Sequence, residues 1–247
     1  MRQIEKILQE IAAEESLDYH SYSDGWIIKV NEKLVTGYHF PNNNAGSSNL
    51  CNDKSATFEI LNEADIPAVS HLFFMEIDEV QIRFLFNHYG SLVIKPNQGT
   101  GGSDVYHVTS QTELIPTIEK VLSRSNNMTV SPFENIAQEY RLIILNGDVQ
   151  LTYKKHVQEG SWKHNLGLGA KPEIVPLDPV LEDMAKRATK VVGINFASVD
   201  IVEVDGGFKV LEINSGVMME KFSLQSDENY EIAKSIYRKA LTHLKSN

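Results

Sequence analysis

Asp200, Glu212 and Asn214 sit in the stretch INFASVDIVEVDGGFKVLEINSG, and their types and spacing suit a hard metal ion. The stretch reads as two β-runs, Ala197–Val204 and Phe208–Ile213, joined by the turn signal Asp205-Gly206-Gly207. A hairpin centred on Gly206 opposes position 200 to position 212 and puts 214 on the same face. Directly opposed side chains have Cβ atoms about 4.5–5.5 Å apart, so two carboxylates there repel. The same face is expected to carry Val202, Val204, Phe208 and Val210, which places the acids at the end of an apolar surface. Buried unpaired carboxylates are costly, and a bound cation removes the cost. An oxygen-only Asp/Glu/Asn set suits Mg²⁺. The competing reading is a solvated hairpin edge with incidental acids, because a bulge in the turn would shift the register by one.

Two further segments have chemistry to offer. Lys95-Pro96-Asn97-Gln98-Gly99-Thr100-Gly101-Gly102-Ser103 lies between two β-runs. Its glycines allow close backbone approach to a phosphate, and the lysine adds a point charge. The spacing matches neither the Walker pattern nor the dinucleotide fingerprint, and an ordinary hairpin loop is the alternative. The second segment runs from Tyr153-Lys154-Lys155-His156 to Glu159-Gly160-Ser161-Trp162-Lys163-His164-Asn165-Leu166-Gly167. A strand ending in basic residues, followed by a polar loop, can line an anionic site or simply end a solvated hairpin. No Ser/His/Asp or Cys/His set emerges, which argues against covalent catalysis by a side chain.

The elements that must position these residues follow from periodicity. An amphipathic helix over Arg2–Glu15 carries Ile4, Ile7, Leu8 and Ile11, and a hairpin follows over Trp26–Val30 and Leu34–Tyr38. The polar run 41–49 reads as a linker or exposed loop. Asp53 caps a helix Lys54–Glu63, and a second helix spans Asp78–Asn87. Strands are expected at Leu92–Lys95, Val105–Val108, Met128–Ser131, Ala137–Leu145 and Val149–His156, with a helix at Thr112–Arg124 between the second and third. Asp178-Pro179 opens a helix to Val191, and a last helix covers Glu228–Leu244. The irregular alternation with several hairpins makes the class α+β.

Composition excludes several functions. The chain has 247 residues, 42% hydrophobic and 23% charged, with enough length for one large or two small domains. A net charge of −10 without a basic block argues against nucleic-acid binding. No apolar run is long enough to span a membrane, and no signal-peptide pattern opens the chain. A single cysteine, Cys51, fits a reducing cytosol, so a cytoplasmic location is expected.

Taken in this order, the segments resemble the ATP-grasp superfamily of carboxylate–amine ligases, in its ribosomal-protein glutamate ligase and cyanophycin synthetase branch. The resemblance runs from about Asn52 to the carboxyl terminus, through Asp53-Lys54, the Lys95-Pro96 strand and glycine loop, Glu139-Tyr140-Arg141, YKKHVQEGSWKHNLGLG and the D200…E212-x-N214 hairpin. It implies ATP held between two α+β subdomains, at 52–130 and 131–247, behind an abbreviated amino-terminal region 1–51. Lys54 and Lys95 are similar to the family's nucleotide lysines, and Gly99, Thr100, Gly101, Gly102 and Ser103 to the loop that covers the triphosphate. Ser131, Pro132 and Phe133 resemble the adenine linker, and Glu139 the ribose-binding acid. Lys155 stands where the family has a basic residue near the transferred phosphoryl group. Asn165 resembles an asparagine facing metal and substrate, and Arg141 an arginine near the acceptor. Asp200, Glu212 and Asn214 match the Mg²⁺ ligands, with two ions bridged by Glu212 and Mn²⁺ able to substitute.

Three features depart from the family pattern. Only about fifty residues precede Lys54, lysine replaces the usual arginine at 155, and the chain after Asn214 reads Ser-Gly-Val-Met-Met-Glu-Lys-Phe. The activity implied is ATP-dependent amide formation between a carboxylate and an amine, on small-molecule or peptide substrates. A nucleotide-binding subunit without turnover and a phosphotransferase are the alternatives. Any part of the amino-terminal stripe left uncovered by its hairpin is expected to meet a second copy or a partner protein. Gly99–Ser103 is expected to move without nucleotide and to order over it, so limited proteolysis should cut near Thr100 in the free protein. Equal cutting with and without Mg·ATP would count against phosphate covering.

Overall fold

Most helix starts in the computed structural model are fixed by side chains accepting from otherwise unpaired N–H groups. The structure describes residues 1–99, 104–156 and 171–242. Helix α1 (Gln3–Glu14) has no cap in its own sequence, and Glu220 serves instead, accepting from the N–H groups of Gln3 and Ile4 at 3.0 and 3.2 Å. Strands β1 (Tyr19–Tyr22), β2 (Ile27–Val30) and β3 (Lys33–Thr36) form a three-stranded meander. Helices α2 (Ala45–Asn52) and α3 (Lys54–Glu63) are capped by Asn44 and Asp53. After β4 (Leu72–Phe74), α4 (Glu79–Tyr89) starts on Asp78 and stops on Gly90 at φ 77°. The order continues with β5 (Leu92–Pro96), β6 (Tyr106–Val108), α5 (Gln111–Leu122), β7 (Met128–Pro132), β8 (Gln138–Leu145), β9 (Asp148–His156) and β10 (Lys171–Ile174). It ends with α6 (Pro179–Val191), β11 (Phe196–Val204), β12 (Gly207–Asn214), α7 (Glu220–Ser223) and α8 (Asp227–Thr242).

The expected α+β mixture is present, with one correction in the polar run 41–49. Asn44 accepts from Ser47 N–H at 2.8 Å and starts α2 there. Asn43 fixes the approach by accepting from Asn195 and Phe196 N–H at 3.0 and 2.8 Å. Local capping and a long-range backbone clamp therefore make a helix of a stretch whose composition reads as loop. Strands β1, β4 and β10 are additions at sheet edges, too short to leave an alternating pattern.

The larger sheet runs β10-β9-β8-β11-β12, wholly antiparallel, and the smaller one β4-β7-β5-β6. Two hairpins of the larger sheet share one design. Asn146-Gly147 and Asp205-Gly206 turn them, all four residues at positive φ, and a bulge follows in each second strand. In the β11–β12 hairpin Ile201 pairs with Val210 and Asp200 with Glu212, so Leu211 is the extra residue. Asp200 thus opposes Glu212 as expected, by a two-residue turn plus a bulge in place of a turn centred on Gly206. The face assignment is corrected in part. Val202 and Val204 share the Asp200 face, while Phe208 and Val210 lie on the opposite face with Ile201.

One face of this sheet, carrying Leu142, Ile144, Val199 and Ile201, packs on α6, with residues of α2 and α3 in the same core. The other face is divided. Its Ile143, Leu151, Tyr153 and Phe196 lie under α1, α8 and the meander; a charged patch around Asp200 follows, and beyond it Val202 and Val204 pack with Val69. The smaller sheet packs α4 and α5 on one face through Ile82, Leu92, Ile94, Leu114, Ile118 and Val130.

The stripe of α1 is covered within the chain. Ile4, Ile7, Leu8 and Ile11 are buried with Ala233, Ile236, Tyr237, Ala240 and Leu241 of α8 as well as Ile28 and Val35 of the meander. The expected surplus for a partner is absent, because the last helix returns to the first. Lys234, also buried, bridges the two through Glu10 at 3.1 Å and Glu14 at 2.5 Å. Leu8→Ala should therefore cost about 2–5 kcal/mol of stability in urea unfolding, the usual range for a buried leucine. A loss near zero would mean that the α1–α8 contact is not part of the folded core.

Candidate active site

The divided face of the larger sheet places the site. Across its strands Asp200 lies opposite Arg141 on one side and Glu212 on the other, Arg141 lies opposite Tyr153, and Glu139 lies opposite Lys155. Arg141 grips Asp200 with two parallel hydrogen bonds, Nε to Oδ1 at 2.7 Å and Nη2 to Oδ2 at 2.6 Å. Lys155 reaches diagonally to Asp200 Oδ1 at 3.0 Å and also donates to Glu139 Oε1. Asp200, Lys155 and Glu139 are 1, 1 and 4% exposed. Burial works against the Asp200 charge, but Arg141 and Lys155 hold its carboxyl well below the usual carboxylate range. Lys155 is held charged despite burial and the neighbouring Arg141, through Asp200 and then Glu139. As the second acid on one ammonium, Glu139 carries the conflict: burial, with Asp200 adding to it, pushes it up to about 7 against the pull of Lys155.

At the hairpin edge Glu212 and Asn214 are half-buried, and the Asn214 amide donates to Glu212 Oε1 at 3.0 Å. Asp200, Glu212 and Asn214 are therefore brought to one end of one hairpin. Their oxygen donors fit a hard divalent cation in chemistry. Asp200, however, is engaged by two protein cations, and among the described residues no three His, Cys, Asp or Glu side chains converge as a metal-holding group. The open part of the donor set is Glu212 with Asn214.

The smaller sheet supplies lysines. Lys95, near the end of β5, is 9% exposed, and burial pushes its ammonium down to about 8 against the attraction of Glu212. Lys54, at the start of α3, donates to the carbonyls of Asn97 and Gly99 at 3.3 and 3.0 Å. Burial lowers it too, while Glu212 and Asp53 raise it. Lys54 and Glu212 line one crevice with His71 and Leu211. Ser131 is buried in β7, and Phe133 just beyond it stacks on His107 with ring centroids 3.7 Å apart. Thr100, Gly101, Gly102, Ser103 and Asn165 lie outside the described residues.

Sequence reasoning passed over His71 and Leu211. His71 is buried, its Nδ1 2.8 Å from Ser131 Oγ and its Nε2 3.3 Å from the Leu211 carbonyl. A carbonyl only accepts, so Nε2 carries the proton and Nδ1 accepts from the serine hydroxyl. Burial and then Lys95 hold the imidazole well below its usual pKa, which keeps it neutral. His71 thereby joins the linker strand of the smaller sheet to the bulge beside Glu212. The available signal was a lone histidine entering the apolar run Leu72-Phe73-Phe74, which marks a buried and partnered ring. The thiol of Cys51 is buried and pushed up to about 12, which removes it as a nucleophile.

Comparison with known proteins gives the family. The family described as RimK-like ATP-grasp domain matches residues 51–239. The chain is 27% identical over 202 residues to a probable alpha-L-glutamate ligase 1 of Hahella chejuensis, covering 80% of this chain and 65% of that protein. It is 29% identical over 140 residues to a probable alpha-L-glutamate ligase of Psychromonas ingrahamii, covering 56% and 46%. The chain thus spans about half to two thirds of the length of these relatives. Among solved structures, D-alanyl-alanine synthetase A of Vibrio cholerae superposes with TM-score 0.70 at 14% identity, covering 98% of this chain and 94% of that one. D-alanine–D-alanine ligase of Bacillus anthracis gives 0.64 at 19% identity, covering 81% and 70%. Residues that pair across the two sheets fall within the matched span, and the chain belongs to the RimK-like ATP-grasp family.

Proposed function

We propose that the protein is an ATP-dependent carboxylate–amine ligase. ATP-grasp ligases in general use ATP and Mg²⁺. The observation that carries the reading is the meeting of two lysines whose pKa is lowered, Lys54 and Lys95, with Glu212, Glu139 and the Arg141–Asp200–Lys155 cluster. Four cations and three carboxylates at one cleft suit a metal-bound polyphosphate better than a neutral ligand.

In this reading the substrate carboxylate attacks the γ-phosphorus, the bond to the β-phosphate oxygen breaks, and ADP leaves. The amine then attacks the acyl carbon of the acylphosphate. Phosphate leaves, the amine gives up a proton, and an amide remains. Such chemistry needs positioning and charge neutralisation rather than a side-chain nucleophile. Lys95 and Lys54 would hold phosphate oxygens, and Ser131 and Phe133 would border the base. Glu139 would stand near the ribose, with Arg141 and Asn165 toward the acceptor. Asp200, Glu212 and Asn214 would hold Mg²⁺, which when bound neutralises developing phosphoryl charge. The number of ions, and any use of Mn²⁺, belong to the same proposal. So do the division into 1–51, 52–130 and 131–247, a cytoplasmic location and the homo-oligomeric or partnered state. No described helix is long and apolar enough to cross a membrane. The names of the relatives make L-glutamate the first carboxylate and amine donor to try. An amine–carboxylate screen scored by phosphate release tests the reading. Amide with ADP supports it, whereas a phosphorylated acceptor or bound ATP without turnover would replace it with a phosphotransferase or a silent subunit.

Two outcomes are expected of variants. Glu212→Gln should abolish ATP turnover with the fold intact, and metal-free thermal stability should hold or rise because two opposed carboxylates no longer repel. Turnover at wild-type rates would sink the metal assignment. Lys95→Met should lose ATP binding yet gain about 1–3 kcal/mol of stability at pH 7, from the cost of a buried ammonium. The sign follows from the depressed pKa: the folded state gives up the proton at about 8, the unfolded chain near 10.5. Wild-type stability therefore rises with pH across that window, and the advantage of the variant should vanish by its upper end. A constant difference from pH 7 to 10.5 would show that Lys95 is not strained by burial.

A further inference from the structure

Lys155 occupies an unusual position for a group assigned to a phosphate. It is 1% exposed and inserted between two carboxylates, Glu139 and Asp200. Asp200 Oδ1 accepts from both Arg141 Nε and Lys155 Nζ, and Oδ2 accepts from Arg141 Nη2. A carboxylate offers about four acceptor directions, and three of these are in use. Any divalent cation on Asp200 would also lie against two positive side chains.

The two cations differ in how they are held. Arg141 stands directly opposite Asp200 on the adjacent strand and binds through a planar fork. Lys155 reaches across from β9, places one ammonium on one oxygen, and has a flexible four-carbon stem. Of the two, Lys155 is the one that can leave.

We propose that Lys155 is the resident cation of the metal site: its ammonium holds Asp200 Oδ1, an oxygen that a metal on Asp200, Glu212 and Asn214 would need, and it is displaced when a divalent cation binds. The proposal rests on the ligase reading for the presence of a metal. It gives Lys155 a second duty, excluding metal until nucleotide arrives, and makes its ammonium available to the bound anion only afterwards.

The test is Mn²⁺ affinity of the nucleotide-free protein, measured by electron paramagnetic resonance. Lys155→Met, similar in size but uncharged, should bind Mn²⁺ at least tenfold more tightly than wild type, while the charge-preserving Lys155→Arg should show no gain. If the unpaired Glu139 unfolds Lys155→Met, the same tenfold gain is read between Glu139→Gln and the double variant E139Q/K155M, where no orphan acid remains. Adding Glu212→Gln should abolish the gain. Unchanged or weaker affinity in the variants lacking Lys155, or a gain that survives Glu212→Gln, overturns the proposal. Phosphate release by wild type with Mg·ATP, followed in parallel, separates the two readings. Its absence would sink the ligase assignment and leave the Mn²⁺ order standing, whereas normal release with a flat Mn²⁺ series would sink only the resident cation.

Discussion

A carboxylate buried to 1% exposure inside a β-sheet sets the terms for everything around it. Asp200 cannot keep its charge there without partners, since removing one member of a buried pair typically costs about 3–5 kcal/mol. The antiparallel register supplies Arg141 opposite and Lys155 on the diagonal, and Lys155 in turn needs Glu139. That set interrupts an apolar face, which resumes past Asp200 with Val202 and Val204 packed on Val69. The apolar part under α1 and α8 ends at Ile143 and Tyr153, where the charged set begins. The boundary between core and cleft is thus drawn by one charge. A sheet of uniform apolar face would have been covered along its whole length and would have left no site.

The bulge at Leu211 is the second constraint, and it acts through the backbone. An extra residue in a strand leaves its own polar groups outside the ladder, and a buried carbonyl must find a donor. Leu211 finds His71, whose other nitrogen meets Ser131. One irregularity therefore achieves two things: it brings Glu212 opposite Asp200, and it offers a carbonyl that ties the larger sheet to the smaller. The imidazole is neutral, with Nε2 donating to Leu211 and Nδ1 accepting from the Ser131 hydroxyl, because burial and the nearby Lys95 disfavour its cation.

What could be read from the sequence divides along physical lines. Features with a local cause were legible: the caps at Asp53 and Asp178, the turn at Asp205-Gly206 and the long strands of the central sheet. The opposition of Asp200 and Glu212 was read correctly, although the turn and the bulge each departed by one residue and cancelled. Phe208 and Val210 lie between the turn and the bulge, so the two-residue turn alone sets them opposite Glu203 and Ile201 on the far face. Features with a distant cause were not legible. Glu220 caps α1 from the other end of the chain, Asn43 clamps β11, and α8 covers a stripe that local sequence leaves open. Lys155 was placed beside the transferred phosphoryl group, and its pairing with Glu139 and Asp200 was not foreseen because those acids lie on other strands.

Screening explains how a chain of net charge −10 could hold the polyanion proposed for its cleft. At physiological salt exposed charges more than about 8 Å away are largely screened, so the general surface has little say inside a cleft. Within the cleft Lys54, Lys95, Arg141 and Lys155 face Glu139, Asp200 and Glu212, and Glu139 is raised to about 7 and so partly neutral near that pH. The local balance is positive while the global one is negative. The surface then discourages long polyanions such as nucleic acid, which must span many charges at once, and leaves a compact one to be judged by the cleft alone. The low pKa of Lys95 is the mark of that balance. Burial strains Lys95, and an anionic ligand of the kind proposed above would relieve that strain.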